Sequence, residues 1–272
     1  GREIVQILGH EPPHPLVYEW ISLKGQGAMS SSAGNTIGPI EALRLVPPEI
    51  LRLLVAKSKP NKAIEFDTGM GLVTLADEFE RLAARDFQQE LANEELSRRQ
   101  KVQVEDAAGA MKMATVVSGQ QVEATAVTFR HLALLAQTKK NDSDVWTSLQ
   151  ASGALKEITP QLQDRLTRMR YCLQSDHFPR EMRINILTEP NNAMLEALDE
   201  IERRILNSLV VALNTCDWNA TAIGASIPQS AKDLDESPRS AFKVAYAALM
   251  GTEKGPRLAP ILAEMDREVI LH

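Results

Sequence analysis

The sequence has few aromatic residues and cysteines, and it has no long apolar run. Aromatic residues make up 4 % of the 272 positions. Cys172 and Cys216 have no metal-ligand or redox spacing and the five histidines are scattered, so no metal site is predicted. We expect free thiols, with a single disulfide as the alternative. The chain lacks both the roughly 20 apolar residues that span a bilayer and a recognisable signal peptide. These absences predict a cytoplasmic protein without a membrane partner.

An excess of positive charge is also missing. Lysine and arginine number 30 against 36 acidic residues, which gives a formal net charge of −6. The whole chain therefore lacks the charge typical of a nucleic-acid binder, and any RNA contact must come from a local basic face. Alanine, leucine and glutamate are abundant, which favours helices. A chain of this length with 44 % hydrophobic residues can form two or three packed units.

Local patterns predict a mainly α fold with a short strand pair near the N-terminus. Residues 1–27 suggest a short helix, a proline-rich turn and strands, with strand character in residues 16–21. Pro47, Pro48 and Glu49 are predicted to open a helix that runs from Ile50 to about Lys57. From about residue 86 the pattern is helical throughout. Thr159 and Ser237 each precede a proline and are predicted to cap helices, and Gly251 is predicted to end one. The apolar stripes in residues 195–209 and 258–269 each predict one continuous helix.

The loop Ala-Met-Ser-Ser-Ser-Ala-Gly-Asn at residues 28–35 has a composition suited to phosphate binding. Such a loop needs a mobile backbone, hydrogen-bond donors and cations. Gly25, Gly27 and Gly34 supply mobility, and the serines supply donors. Lys24 is the cation that stands near in sequence. Taken alone, the short motif also fits a Ser/Gly-rich surface loop.

The surroundings of the loop decide between these interpretations. The chain resembles the class I lysyl-tRNA synthetases of archaeal type in the segments at residues 12–13, 17–20, 23–25, 29–36, 48–52, 60–67, 71–79, 128–132 and 242–257. The loop is similar to the family's Lys-Met-Ser-Lys-Ser signature. Ala28, Ser31 and Ala33 stand where family members carry lysine. Loss of one well-placed charged donor costs about 10²–10³ in rate, so the resemblance implies at most a weak ATP site.

The resemblance implies a three-part organisation. Residues 1–85 would end the catalytic domain and form the stem-contact region, residues 86–180 a first helical cage subdomain, and residues 181–272 a second. Gly1 in place of methionine favours a chain that begins inside a longer protein, and we expect the C-terminal half of a synthetase without its Rossmann sheet and His-Ile-Gly-His type signature. The parent would join lysine to tRNA with ATP and Mg²⁺. The chain alone is expected to be an inactive monomer that binds lysine tRNA, with no cofactor and no intact catalytic residue.

The candidate site residues form two sets. The degenerate ATP-binding set comprises Lys24, Met29, Ser30, Ser31, Ser32, Gly34 and Asn35. The tRNA-binding set comprises Lys57, Lys59, Lys62, Arg130, Arg165, Arg168, Arg170, His177, Phe178 and Arg180. Basic groups hold phosphates, whereas aromatic and arginine planes stack on unpaired bases. A solvated turn is the alternative for the lysines, and a salt-bridged helix surface is the alternative for the arginines.

Other functions fit the same residues. A non-catalytic, synthetase-like tRNA-binding or regulatory module that lost its loop lysines is one alternative, and an intact first signature upstream would argue against it. Alanines engineered into the loop are another, as is a related class I enzyme for a different amino acid. A structural helical adaptor is the last.

Overall fold

The computed structural model describes residues 1–25, 27–29, 36–116, 124–125, 127–187, 189 and 191–271. Helices dominate these residues, and the strands form one small sheet. The predicted mainly α fold is therefore confirmed. Within this part of the chain no helix combines the length and apolarity needed to cross a bilayer. Both cysteines are free, as predicted, and burial raises the pKa of the Cys172 thiol to about 11.

A three-stranded sheet follows the N-terminal helix α1 (Arg2–Ile7). Strand β1 (Ile21–Leu23) pairs antiparallel with β2 (Gly27–Ala28) and parallel with β3 (Ile64–Phe66). The predicted strand pair is thus present. The expectation of a strand over residues 16–20 was wrong, since the ladder covers only three residues of β1 and those before it are exposed. The third strand was missed because its partner lies about forty residues away in sequence.

The first core is built by helices between residues 39 and 174. They are α2 (Pro39–Leu45), α3 (Pro48–Ala56), α4 (Met70–Ala83), α5 (Phe87–Leu91), α6 (Arg98–Ala114), α7 (Phe129–Thr138), α8 (Asp142–Ala151) and α9 (Pro160–Gln174). α3 packs against α6, and α7 packs against α9. α4 packs against both α3 and α7, and Phe79, Leu135 and Leu166 are among the side chains buried in this core. Burial of apolar surface is the main stabilising term here.

The second core is built by C-terminal helices. A 3₁₀ helix (Arg180–Met182) leads to α10 (Asn192–Glu196), α11 (Glu200–Thr215), α12 (Ala220–Lys232), α13 (Pro238–Met250), α14 (Leu258–Ala263) and α15 (Arg267–Leu271). Ile205, Ile223 and Leu262 are buried in it. The buried residues of the first core end at Phe178. The expected domain limits at residues 85 and 180 stay a prediction, and helices on both sides of residue 85 contribute to the first core.

The helix ends confirm the predicted caps and explain why two of the predicted helices are divided. Thr159 and Ser237 cap α9 and α13, and Gly251 ends α13 with a φ of 65°, as predicted. The single helix expected over residues 195–209 was wrong, because Asp199 forms a capping box that starts α11. The single helix expected over residues 258–269 was also wrong. α14 ends at Ala263, and a separate α15 follows.

Candidate functional site

The N-terminal hairpin places the β1–β2 turn beside the N-terminal end of α4. Met29 packs against the first core. Lys24, in the β1–β2 turn, donates from Nζ to Asp67 Oδ2 at 2.9 Å. The other predicted ATP-binding residues, Ser30, Ser31, Ser32, Gly34 and Asn35, lie outside the described residues.

Asp67 occupies the N-terminal end of α4. Its carboxylate accepts hydrogen bonds from the backbone N–H groups of Gly69 and Gly71, both at 2.9 Å. Partial burial opposes ionisation, but the hydrogen bonds from Lys24 and these two N–H groups outweigh it and hold the pKa of Asp67 below its usual value. The carboxylate thus fills the position at a helix N-terminus where an anion binds favourably.

This arrangement requires glycine at position 71. A Cβ there would lie 2.4 Å from the Asp67 Cβ. We expect Gly71→Ala to lower the free energy of unfolding by about 1–3 kcal/mol, because overpacking forces neighbouring atoms to move. Gly109→Ala is the matched control: the residue lies inside α6 with nothing within 4 Å of its Cβ position. It should stabilise the chain by about 0.5–1 kcal/mol. Urea unfolding of both variants checks the prediction, and equal effects would contradict it.

The cleft under the hairpin carries both signs of charge. It has a volume of about 350 Å³ and is lined on its polar side by Lys24, Lys57, Glu65, Asp67 and Glu78. Lys57 forms an ion pair with Glu78, as Lys24 does with Asp67. Both lysines are thus compensated, and the cleft offers little net positive charge to a triphosphate. Lys59 and Lys62, in the turn before β3, are exposed.

Arg165 lies inside the first core. Its guanidinium forms an ion pair with Glu80 and donates to Thr125 Oγ1 at 2.8 Å. Glu80 also accepts from the Thr125 N–H at 3.0 Å. Burial lowers the pKa of Arg165 to about 10, so the group stays charged at neutral pH. This guanidinium joins α4, α9 and the segment at residue 125.

The other two arginines of α9 contact helix ends. Arg168 pairs with Asp164 at 2.7 Å and also donates to the Leu43 carbonyl near the end of α2. Arg170 pairs with Asp142 at 3.1 Å and donates to the Ala136 carbonyl at the end of α7. Cations stabilise the C-terminal carbonyls of helices. Both side chains remain partly exposed, and their contact with tRNA stays a prediction.

The segment after α9 is divided between the core and the surface. Phe178 is only 2 % exposed, and Arg183 lies over its ring. This placement does not support stacking of Phe178 on a base. His177 forms a hydrogen bond through Nδ1 with Thr68 Oγ1 at 3.1 Å. Arg180 is exposed at the start of the 3₁₀ helix.

Arg130 lies at a groove between α7 and the start of α14, which we call the α7 groove. Its volume is about 740 Å³. Arg130, paired with Asp77 at 2.9 Å, lines it together with His131 from α7 and Arg257 from the opposite side. Sequence reasoning did not single out His131 or Arg257 as site residues. The available signal was that both belong to segments that carried the resemblance, at residues 128–132 and 242–257.

Apolar side chains form much of the rest of the groove, beside the polar Thr128, Gln137 and Glu181. The apolar ones are Met70, Leu134, Met182, Ile184, Pro256, Pro260 and Ile261. The structure therefore brings Arg130 and its neighbour His131 together with Arg257 from a distant segment, whereas Arg165 lies elsewhere in the core. An apolar cleft with a few convergent polar groups is the usual form of a binding site.

Comparison with known families assigns the chain to a class. A family model for class I tRNA synthetases (K) matches residues 1–107, and a model for an anticodon-binding domain matches residues 126–272. The chain therefore belongs to the family of class I tRNA synthetases (K), and its residues 126–272 form an anticodon-binding domain. The resemblance stated from the sequence is confirmed.

The named relatives are archaeal lysine–tRNA ligases. The protein from Thermoplasma volcanium is 31 % identical over 269 residues, which cover 98 % of this chain and 50 % of the relative. The one from Picrophilus torridus is 31 % identical over 273 residues, covering 100 % and 51 %. Lysine–tRNA ligase 1 of Methanosarcina acetivorans is 54 % identical over 83 residues, which are 30 % of this chain and 16 % of that protein. The chain spans about half the length of the relatives that it matches throughout.

Proposed function

We propose that this chain is the tRNA-binding, anticodon-recognising part of a lysine–tRNA ligase. The match of residues 126–272 to an anticodon-binding domain carries the proposal. The names of the relatives favour lysine as the amino acid. The exposed Lys59 and Lys62 and the guanidinium of Arg257 at the α7 groove provide the local positive charge that the net charge of −6 lacks. We further propose that the chain is a cytoplasmic monomer.

In this proposal, the joining of lysine to tRNA is carried out by the whole protein and not by this chain alone. ATP, with Mg²⁺, would be the substrate that activates lysine, and the signature loop would contact its phosphates. Lys24 is held by Asp67, and Ala28 supplies no charge. We therefore expect the chain alone to bind tRNA without joining lysine to it. A non-catalytic synthetase-like module would show the same binding, and the presence of an intact first signature in the full gene separates the two.

Binding of a lysine tRNA transcript tests the proposal. Between about 50 and 200 mM salt, a chain that neutralises three phosphates should lose roughly 20- to 40-fold in affinity. At either salt concentration we expect about tenfold tighter binding to the lysine tRNA than to the same tRNA with a changed anticodon, since each base contact contributes roughly 1–3 kcal/mol. Fluorescence anisotropy measures both effects.

A lysine variant separates phosphate contact from base recognition. Replacing Lys59 and Lys62 together by glutamine should weaken binding to both tRNAs equally and reduce the salt slope by about 2. Lys243→Gln is the control, because Lys243 is already paired with Glu202 on α11. Equal affinity of the unchanged chain for the two tRNAs would refute anticodon recognition by this half of the protein.

A further inference from the structure

The α7 groove is rigidly built on both sides. Gln137 donates to the carbonyls of Ala133 and Met182 at 3.0 Å and accepts from the Ile184 N–H at 2.9 Å, so it ties one wall to α7. Across the groove, the Tyr246 hydroxyl donates to the Pro256 carbonyl at 2.6 Å. These groups have their partners already, which means that they shape the groove and do not bind its ligand.

The position of the loop opposite α7 depends on a glycine. A Cβ on Gly255 would lie 3.0 Å from the Tyr246 ring and 3.2 Å from Met250 Sδ. Glycine thus lets the loop pass close to α13 and carry Arg257 to the groove. A preformed site loses little free energy to ordering when it binds its ligand.

Two cationic or polar side chains of the groove remain available. Within the described part of the chain, neither the Arg257 guanidinium nor the His131 ring has a side-chain hydrogen bond or an ion-pair partner. Arg130 differs, because Asp77 holds it. The groove therefore presents the guanidinium of Arg257 on its α14 side and the ring of His131 on its α7 side, both free to contact a ligand. Glu181 adds a single carboxylate to the lining.

We propose that the α7 groove binds one unstacked nucleotide of a single-stranded RNA segment. The base lies against His131 and the apolar wall formed by Met182 and Pro256, and the guanidinium of Arg257 contacts the adjacent phosphate. Unpaired bases stack on histidine and arginine planes, and arginine donates to phosphate in a two-pronged geometry. A cleft of about 740 Å³ has the size of a small-ligand pocket, which a double helix cannot enter. The inference rests on the proposed function and identifies a place where it is carried out.

A hairpin RNA and a duplex RNA test the base-binding step. The hairpin has an unpaired loop of anticodon size, and the duplex has the same stem sequence made of two separate strands without unpaired bases. Arg257→Gln should weaken binding of the looped RNA about tenfold, equivalent to about 1.4 kcal/mol, and leave the fully paired RNA unchanged. Arg204→Gln removes the same charge from an exposed position of α11 and should change neither affinity by more than about twofold.

Two more variants separate ligand contact from loss of structure. Glu181→Gln removes a negative charge from the groove and should tighten binding of the looped RNA, which damage to the fold would not do. His131→Phe preserves a stacking surface and should retain most of the affinity, whereas His131→Ala should lose several-fold. Equal losses for both RNAs with Arg257→Gln would overturn the proposal in favour of a contact with the duplex backbone.

Methionine methyl NMR locates the contact directly. Met70 and Met182 line the groove, whereas Met169 is buried in the first core. The looped RNA should shift the first two signals and leave Met169 unchanged. If the unchanged chain binds the looped RNA but the groove signals and the Arg257→Gln affinity stay the same, the groove proposal fails and the proposed function stands. If no tRNA or hairpin binds, both fail.

Discussion

Replacing Glu80 by glutamine lowers the free energy of unfolding of the chain by about 3–5 kcal/mol. Glu80 is 8 % exposed, and the side chain of its partner Arg165 is 12 % exposed. Glutamine can still accept from Thr125, but it leaves the guanidinium with no buried negative charge beside it. Burial lowers the pKa of Arg165 only to about 10 in the unchanged chain, so the guanidinium that Glu80 faces is charged at neutral pH. The variant thus contains a buried cation that has lost its ion-pair partner.

Two further variants show that the loss comes from charge imbalance. Changing Glu80 and Arg165 together to methionine removes both charges. The double variant should lower the free energy of unfolding much less than Glu80→Gln does, since apolar replacement of a buried pair is often neutral. Lys243→Met breaks the exposed pair with Glu202 and should cost at most about 1 kcal/mol. Urea unfolding measures all three. A loss for Glu80→Gln as small as that for Lys243→Met would contradict the prediction.

The contacts of Arg165 with Glu80 and Thr125 also affect the interpretation of RNA-binding experiments. A variant of Arg165 that binds tRNA poorly would reflect loss of the ion pair with Glu80 and the hydrogen bond to Thr125 before it reflected a lost RNA contact. The exposed candidates Lys59, Lys62 and Arg180 are better probes, because their substitution leaves the first core intact. Stability measurements on the Arg165 variants therefore belong beside any binding data.

Replacing Ile205 by alanine destabilises the second core by about 2–5 kcal/mol, with a smaller effect on the first core. Ile205 is fully buried on α11. Each core has its own partly buried tryptophan, Trp146 in the first and Trp218 in the second. In a Trp20→Phe background, fluorescence of chains that keep one or the other tryptophan follows the two cores separately. The Trp218 signal should change at lower urea concentration than the Trp146 signal.

A neighbouring position on α11 provides the control. Val211 is 65 % exposed, and Val211→Ala should change stability by no more than about 0.5 kcal/mol. The cores are joined by contacts such as the ion pair between Lys139 and Glu264, at 3.0 Å. If both tryptophan signals shift equally in the Ile205 variant, these contacts couple the cores into one cooperative unit. That result would contradict the prediction and argue against a domain limit near residue 180.

Local chemistry made part of this fold predictable. Thr159 and Ser237 cap helices because a side-chain oxygen next to a proline-led turn satisfies free N–H groups within a few residues. Gly251 ends α13 because the left-handed conformation favours glycine. The stripe at Leu162, Leu166 and Met169 is buried on one face of α9, as its spacing predicts. The same approach failed for residues 195–209, where the capping box of Asp199 interrupts a continuous apolar pattern.

The sequence by itself determined the helical class, the starts of α9 and α13 and the family, since these depend on neighbouring residues or on segments that can be compared directly. Tertiary structure alone decided the pairing of β3 with β1, the ion pair of Arg165 with Glu80 and the meeting of His131 with Arg257 across the α7 groove. The partners in these contacts are far apart in sequence. Whether a charge is compensated, buried or open to a ligand depends on the packing of distant helices, which no local pattern encodes.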